Sequence, residues 1–132
     1  MEEGNILYEA IDEGKILIRT FTGPVTFEQS IQSWIDVIEM KVCRVLPQGV
    51  ISDFSTSGKW DTLSNIPKLL DFFDHHRNFF NGLISAAVVQ QPEKTVSGEL
   101  VKRGIADHKL PFEHELFYSL ENAIRWVRSK IL

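Results

Sequence analysis

The chain has 132 residues, 43% of them apolar and 24% charged, with a formal net charge of −4 at pH 7. That length fits one domain spanning residues 1–132, and the composition excludes a disordered segment or a membrane protein. The acidic balance argues against a nucleic-acid binder, whose affinity rests largely on neutralising phosphates.

Met1-Glu2-Glu3-Gly4 lacks the basic and apolar segments of a secretory signal. No apolar run approaches the ~20 residues that cross a bilayer, so no transmembrane segment is expected and the cytoplasm is the predicted location. Residues 5–11 and 15–22 are rich in β-branched and aromatic side chains around Asp12-Glu13-Gly14. The glycine suits the left-handed position of a three-residue hairpin loop. Gly23-Pro24 ends the second strand. Thr26 and Gln29 have the form of a capping box, opening a helix to about Val42 with Phe27, Ile31, Trp34, Ile35 and Ile38 on one side. Cys43, the only cysteine, excludes an internal disulfide and reads as a small, partly buried apolar residue at the helix end.

Val50-Ile51-Ser52-Asp53-Phe54 reads as a short buried strand leading into a polar loop, Ser55-Thr56-Ser57-Gly58-Lys59. Asn65 before Ile66-Pro67 opens a second helix, since proline is tolerated in a first turn. Its inner stripe is Ile66, Leu69, Leu70, Phe73 and Phe80. The run from residue 83 to 89 is almost wholly apolar, as expected of a strand covered on both faces. A third helix over 95–106 would turn Val96, Leu100 and Ile105 inward, weakened by Gly98 and Gly104. A last strand over 112–117 precedes a helix capped by Ser119, whose terminal cations at 125–130 complement its dipole. The order β-β-α-β-α-β-α-β-α predicts an α/β fold: an N-terminal hairpin, then β-α units in a mixed, mostly parallel sheet of about five strands with about four helices.

Readable catalytic signatures are missing. Gly58-Lys59 fails as a phosphate loop, because Asp53 stands where that motif needs glycine and Trp60 where it needs serine or threonine. Asp53 at a strand end could accept a phosphoryl group, or could hydrogen-bond the N–H groups of its own loop. His75 and His76 point about 100° apart on a helix and cannot share a metal. Asp71 and His75 read as a solvated pair, and His108 and His114 stand alone. No metal or other cofactor is expected. The unusual feature is aromatic: Phe72 and Phe79 form a second row beside Phe73 and Phe80, with Trp60 just before the helix. That row serves either a wide core contact or an exposed patch for a partner, a second copy or an amphiphile.

The element order, the strand ending Val50-Ile51-Ser52-Asp53-Phe54-Ser55, and the close Leu116-Phe117-Tyr118-Ser119-Leu120-Glu121-Asn122-Ala123-Ile124-Arg125-Trp126-Val127 together resemble the STAS-like, or SpoIIAA-like, family of small bacterial domains. The resemblance implies an interaction or regulatory module rather than an enzyme, with a protein partner or a homodimer. In the antagonist branch a serine after this strand is phosphorylated within an Asp-Ser-Ser-Gly-like sequence. Here the nearest stretch is Ser55-Thr56-Ser57-Gly58, which makes Ser57 the corresponding position. The expected binding surface comprises Asp53, Ser55, Ser57, Lys59, Trp60, Phe72 and Phe79. The alternative is a binder of a lipid or other small amphiphile in an apolar pocket.

Overall fold

The computed structural model describes residues 4–60 and 63–131. β1 (Asn5–Ile11) and β2 (Ile16–Val25) form the expected antiparallel hairpin, with Ile11 opposite Ile16. That pairing leaves residues 12–15 in the turn, one more than the sequence suggested. Asp12, Glu13 and Gly14 all take positive φ, 54°, 61° and 86°, which costs a non-glycine residue about 1 kcal/mol or more. Arg128 supports the turn from the far end of the chain. It donates from Nε and Nη2 to the two carboxylate oxygens of Asp12, each at 2.8 Å, and holds that carboxyl below the usual range.

The capping box at Thr26 is present: Gln29 N donates to Thr26 Oγ1 at 3.1 Å, and Thr26 N donates to Gln29 Oε1 at 3.0 Å. It opens α1 (Phe27–Ile38), which stops short of Val42. Met40, with φ of 58°, turns the chain out of the helix. Cys43 therefore lies in the following loop, half-buried, and burial pushes its thiol pKa up.

β3 (Gly49–Asp53) follows, then β4 (Ser57–Trp60), α2 (Ile66–His75), α3 (Arg77–Phe80), β5 (Ile84–Val88), α4 (Pro92–Asp107), β6 (Glu113–Phe117) and α5 (Leu120–Ile131). Two additions distinguish this series from the predicted one. Residues 57–60, read as loop, pair in parallel with the end of β2 through Gly23–Ser57 and Val25–Trp60. The second helix is also broken at His76, whose φ of −114° leaves the helical region, so Phe79 and Phe80 belong to a separate turn.

The sheet runs β1-β2-β3-β5-β6, with β4 beside β2. Only the β1–β2 pair is antiparallel. β3 and β5 are neighbouring parallel strands, and every residue in both is buried, as a sheet covered on two faces requires. Strand alternation then splits the core. Ile16, Ile18, Ile51, Ile84, Ala86 and Val88 meet Ala123 and Val127 of α5. On the other face, Leu17 and Val50 lie beneath α1, α2, α3 and α4, including Trp34, Phe73 and Phe80.

The inward face of α4 corrects the sequence reading. Lys94, Ser97, Gly98, Val101 and Ile105 are buried, whereas Val96 and Leu100 are 58% and 38% exposed. The two glycines allow close approach: a Cβ on Gly104 would lie 2.5 Å from Leu70 Cδ1, and one on Gly98 3.0 Å from Leu116 Cδ2. Small residues at the close approaches, together with Val101 and Ile105, mark this face.

Candidate functional site

On the face covered by α1, α2 and α4, the centre of the sheet carries small or polar side chains. Arg19 on β2 is in register with Ser52 on β3, which in turn is level with Ala87 on β5. Two residues back along β5, Ser85 is level with His114 on β6. Neighbours in a strand alternate between faces, so these five side chains share one side. Because the two central strands present only Ser52, Ser85 and Ala87 here, the helices cannot close fully onto them. A cavity of about 70 Å³ remains, with Trp34, Leu69, Phe73 and Val101 completing its walls.

Arg19 is the anomaly of this site. It is 2% exposed, in the middle of a strand, and among the described residues no carboxylate forms an ion pair with it. Its Nη1 donates to Ser33 Oγ at 3.1 Å and its Nη2 to Ser52 Oγ at 2.6 Å, while Tyr8 donates its hydroxyl to the same Ser33 oxygen at 2.9 Å. The guanidinium carbon lies 3.9 Å from the Trp34 ring centre and 5.1 Å from that of Phe21, which supplies cation–π attraction. Nε is buried with no partner among the described residues. Burial lowers the pKa of Arg19 to about 9. A cation held out of water without an anion is costly.

Ser85 Oγ lies 2.9 Å from His114 Nδ1, so this histidine does not stand alone as the sequence suggested. Burial brings its pKa down to about 4, with smaller contributions from Lys102 and Arg19 in the same direction and Glu115 against it. The neutral ring is therefore the folded form across the physiological range. Between pH 6.5 and about 4 the unfolded chain takes up a proton that the fold refuses, so stability falls as pH drops through that window. The residue keeps some exposure, which discounts the effect to about 1 kcal/mol at pH 5. Urea unfolding at pH 7.5 and pH 5 is expected to show that extra loss in the wild type and its disappearance in His114→Gln. Equal losses in both proteins would refute the assignment.

The second cluster is the turn after β3. Asp53, 8% exposed, accepts from Ser55 N at 3.0 Å through Oδ1, binding its own loop. Ser57, 6% exposed, donates its hydroxyl to Phe54 O at 2.7 Å. Lys94 in the first turns of α4 donates Nζ to both the carbonyl and the hydroxyl oxygen of Ser57, each at 2.8 Å. Burial lowers the Lys94 pKa. Phe54 stacks on Phe21, ring centres 4.5 Å apart. The turn is thus fixed to both β2 and α4.

The structure separates the remaining candidates. Phe72 and Phe79 are half-buried and pack on the core rather than forming a free row. Phe72 meets Phe73 and His76, and Phe79 meets Trp34 and Phe80. The side chains of Lys59 and Trp60 lie outside the described residues. His75 Nδ1 is 2.9 Å from the Asp71 carbonyl, a contact within the helix backbone rather than a side-chain pair. No group of three histidine, cysteine or carboxylate side chains that could hold a metal occurs among the described residues. Sequence reading missed Arg19 entirely. The available signal was an arginine inside Ile-Leu-Ile-Arg-Thr-Phe, an apolar strand.

Three solved structures share this architecture. A protein of the DUF3478 family with a SpoIIAA-like fold, from Shewanella loihica PV-4, superposes with a TM-score of 0.57 at 15% identity, covering 94% of this chain and 93% of its own. The chain has a SpoIIAA-like fold. The anti-sigma factor antagonist SpoIIAA in its unphosphorylated form matches with a TM-score of 0.56 at 10% identity, over 94% of this chain and 98% of that one. An anti-sigma factor antagonist from Mycobacterium paratuberculosis gives 0.57 at 14%, over 96% and 95%. No family model and no curated protein sequence matches the chain. No helix among the described residues is long and apolar enough to cross a membrane.

Proposed function

We propose that this SpoIIAA-like domain is a non-enzymatic interaction or regulatory module that presents the turn after β3, with the adjoining surfaces of α2 and α4, to a protein partner or a second copy. The observation that carries the reading is the clamp of Lys94 on Ser57. It joins a turn at the carboxyl ends of the parallel strands, where open α/β sheets place their ligands, to a helix whose outer face exposes Val96 and Leu100. A change at Ser57 is thereby transmitted to an apolar surface. Two of the proteins sharing the fold are anti-sigma factor antagonists, one of them SpoIIAA in its unphosphorylated form, which favours Ser57 as the modified position. A phosphate there would displace the hydroxyl from Phe54 and seek Lys94.

The test places a photo-crosslinking side chain at Thr56, exposed on the turn, and for comparison at Glu9, exposed on β1. One discrete adduct is expected in the host from Thr56 and none from Glu9. Ser57→Asp should change its yield at least about tenfold, as a charge placed in an interface does, while amide exchange in β3 and β5 stays slow. Identical adducts from both positions, or a yield indifferent to Ser57→Asp, would overturn the proposal. An amphiphile is the less favoured occupant, because a cavity of about 70 Å³ does not hold an acyl chain.

A further inference from the structure

We propose that the cavity between the sheet and helices α1, α2 and α4 is a binding site for a small monocarboxylate, with Arg19 as its charge partner. Three observations converge on this ligand class. The first is the unmatched cation: Arg19 is almost wholly buried, lines the cavity, and leaves Nε without a partner among the described residues. A guanidinium has five N–H groups in a planar fork that fits the two oxygens of a carboxylate. Ser33 and Ser52 engage one nitrogen each, which leaves Nε–H and further Nη hydrogens for an anion.

The second observation is size. About 70 Å³ accommodates a carboxylate with a short carbon tail and excludes a nucleotide or a fatty acid. The third is the lining. Leu69, Phe73, Ala87 and Val101 give the cavity apolar surface for a tail, and besides Arg19 the polar side chains lining it among the described residues are Ser30, Ser52, Ser85, the indole of Trp34 and the neutral His114. A phosphate dianion would bring two charges and four oxygens to one buried cation. A monocarboxylate matches the charge one to one and leaves little unsatisfied. The site shares Phe54 with the turn at Ser57, but the proposal does not depend on the interaction reading.

The experiment measures melting temperature and calorimetric affinity of the full chain with acetate and butyrate. Acetamide and butyramide serve as uncharged isosteres, and chloride and inorganic phosphate as other anions. At ligand tenfold above Kd, a carboxylate should raise Tm by about 5 °C, with the amides inert. Ala87→Leu fills the cavity floor while retaining Arg19, and Arg19→Met removes the charge while retaining bulk. Each should weaken carboxylate binding at least about tenfold. If Ala87→Leu does not fold, Arg19→Met decides alone. The proposal is overturned if neither carboxylate acts, if the amides act equally, if chloride or phosphate matches the carboxylates, or if Arg19→Met binds as tightly as the wild type.

Discussion

Phe80→Ala is expected to lower the unfolding free energy by about 4 kcal/mol, the larger of the two main effects anticipated here. Phe80 is fully buried in α3. Its ring centre lies 4.8 Å from Phe73, 5.0 Å from Phe112 and 5.1 Å from Trp34. Truncation removes the transfer energy of a benzyl group and leaves a cavity that these rings cannot collapse into, since each is held by others. Edge-to-face pairs add about 0.5–1.5 kcal/mol beyond area. A domain stable by roughly 5–15 kcal/mol loses a large share of its margin. Urea unfolding should show a lower midpoint with an unchanged slope, and Tm should fall by about 10–15 °C. Phe80→Leu should recover more than half of the loss. A cost under about 1 kcal/mol would mean that α3 does not anchor this layer of the core.

The second large effect has the opposite sign. Arg19→Met is expected to raise unfolding stability by about 2 kcal/mol in buffer free of carboxylates. The lowering of the Arg19 pKa to about 9 reflects a substantial burial cost for the charged form. For a cation disfavoured by the fold, stability is held back at every pH below the folded value and recovered only as pH climbs above about 9 toward the ordinary arginine value. That range is inaccessible to ordinary measurement, so substitution is the practical way to remove the charge. Methionine keeps the contact with Trp34 and fills similar space. Against the gain stands Ser52, whose hydroxyl loses its 2.6 Å donor at about 1–3 kcal/mol, whereas Ser33 keeps Tyr8. The net gain should appear in the denaturant midpoint. A loss of about 2 kcal/mol would show that the stacking and serine contacts outweigh desolvation.

The two effects bear on one design. The same layer that buries Phe80 completely leaves space at the centre of the sheet, where a buried charge and three small residues do not fill it. The proposed carboxylate site would exchange stability lost at Arg19 for selectivity, in keeping with the usual opposition between a binding site and the most stable packing.

Apart from β4 and the break at His76, the order of elements, the hairpin, the helix caps and the two central parallel strands were legible from the chain, because each rests on local chemistry. Alternation and apolar runs mark β2, β3 and β5. Thr26 with Gln29 marks the start of α1, and Ser119 the start of α5, where its Oγ accepts from Asn122 N at 3.2 Å. The inward face of α4 was read wrongly for an instructive reason. Ile105 faces inward as expected, but Val96 and Leu100 are exposed and Val101 is buried instead, because the glycines at 98 and 104 set which side can approach Leu116 and Leu70. Hydrophobicity along one helix carries no information about how close its neighbours must come.

The candidate sites divide in the same way. Asp53 and Ser57 were visible, since a strand end followed by a polar turn is a local pattern. Arg19 was not, because its meaning arises from what surrounds it. Serines from α1 and β3, an indole from α1 and a histidine from β6 come from three separate parts of the chain. Charge in an apolar strand can face water, a partner or the core, and periodicity cannot distinguish these. Local propensity and patterning therefore determined most of the elements and their order, β4 and the break at His76 excepted. Only the assembled sheet, by setting Arg19, Ser52 and Ala87 level and Ser85 beside His114 on the same face of four strands, decided where a cavity lies and what charge it holds, because burial is a property of the packed layers and not of any one segment.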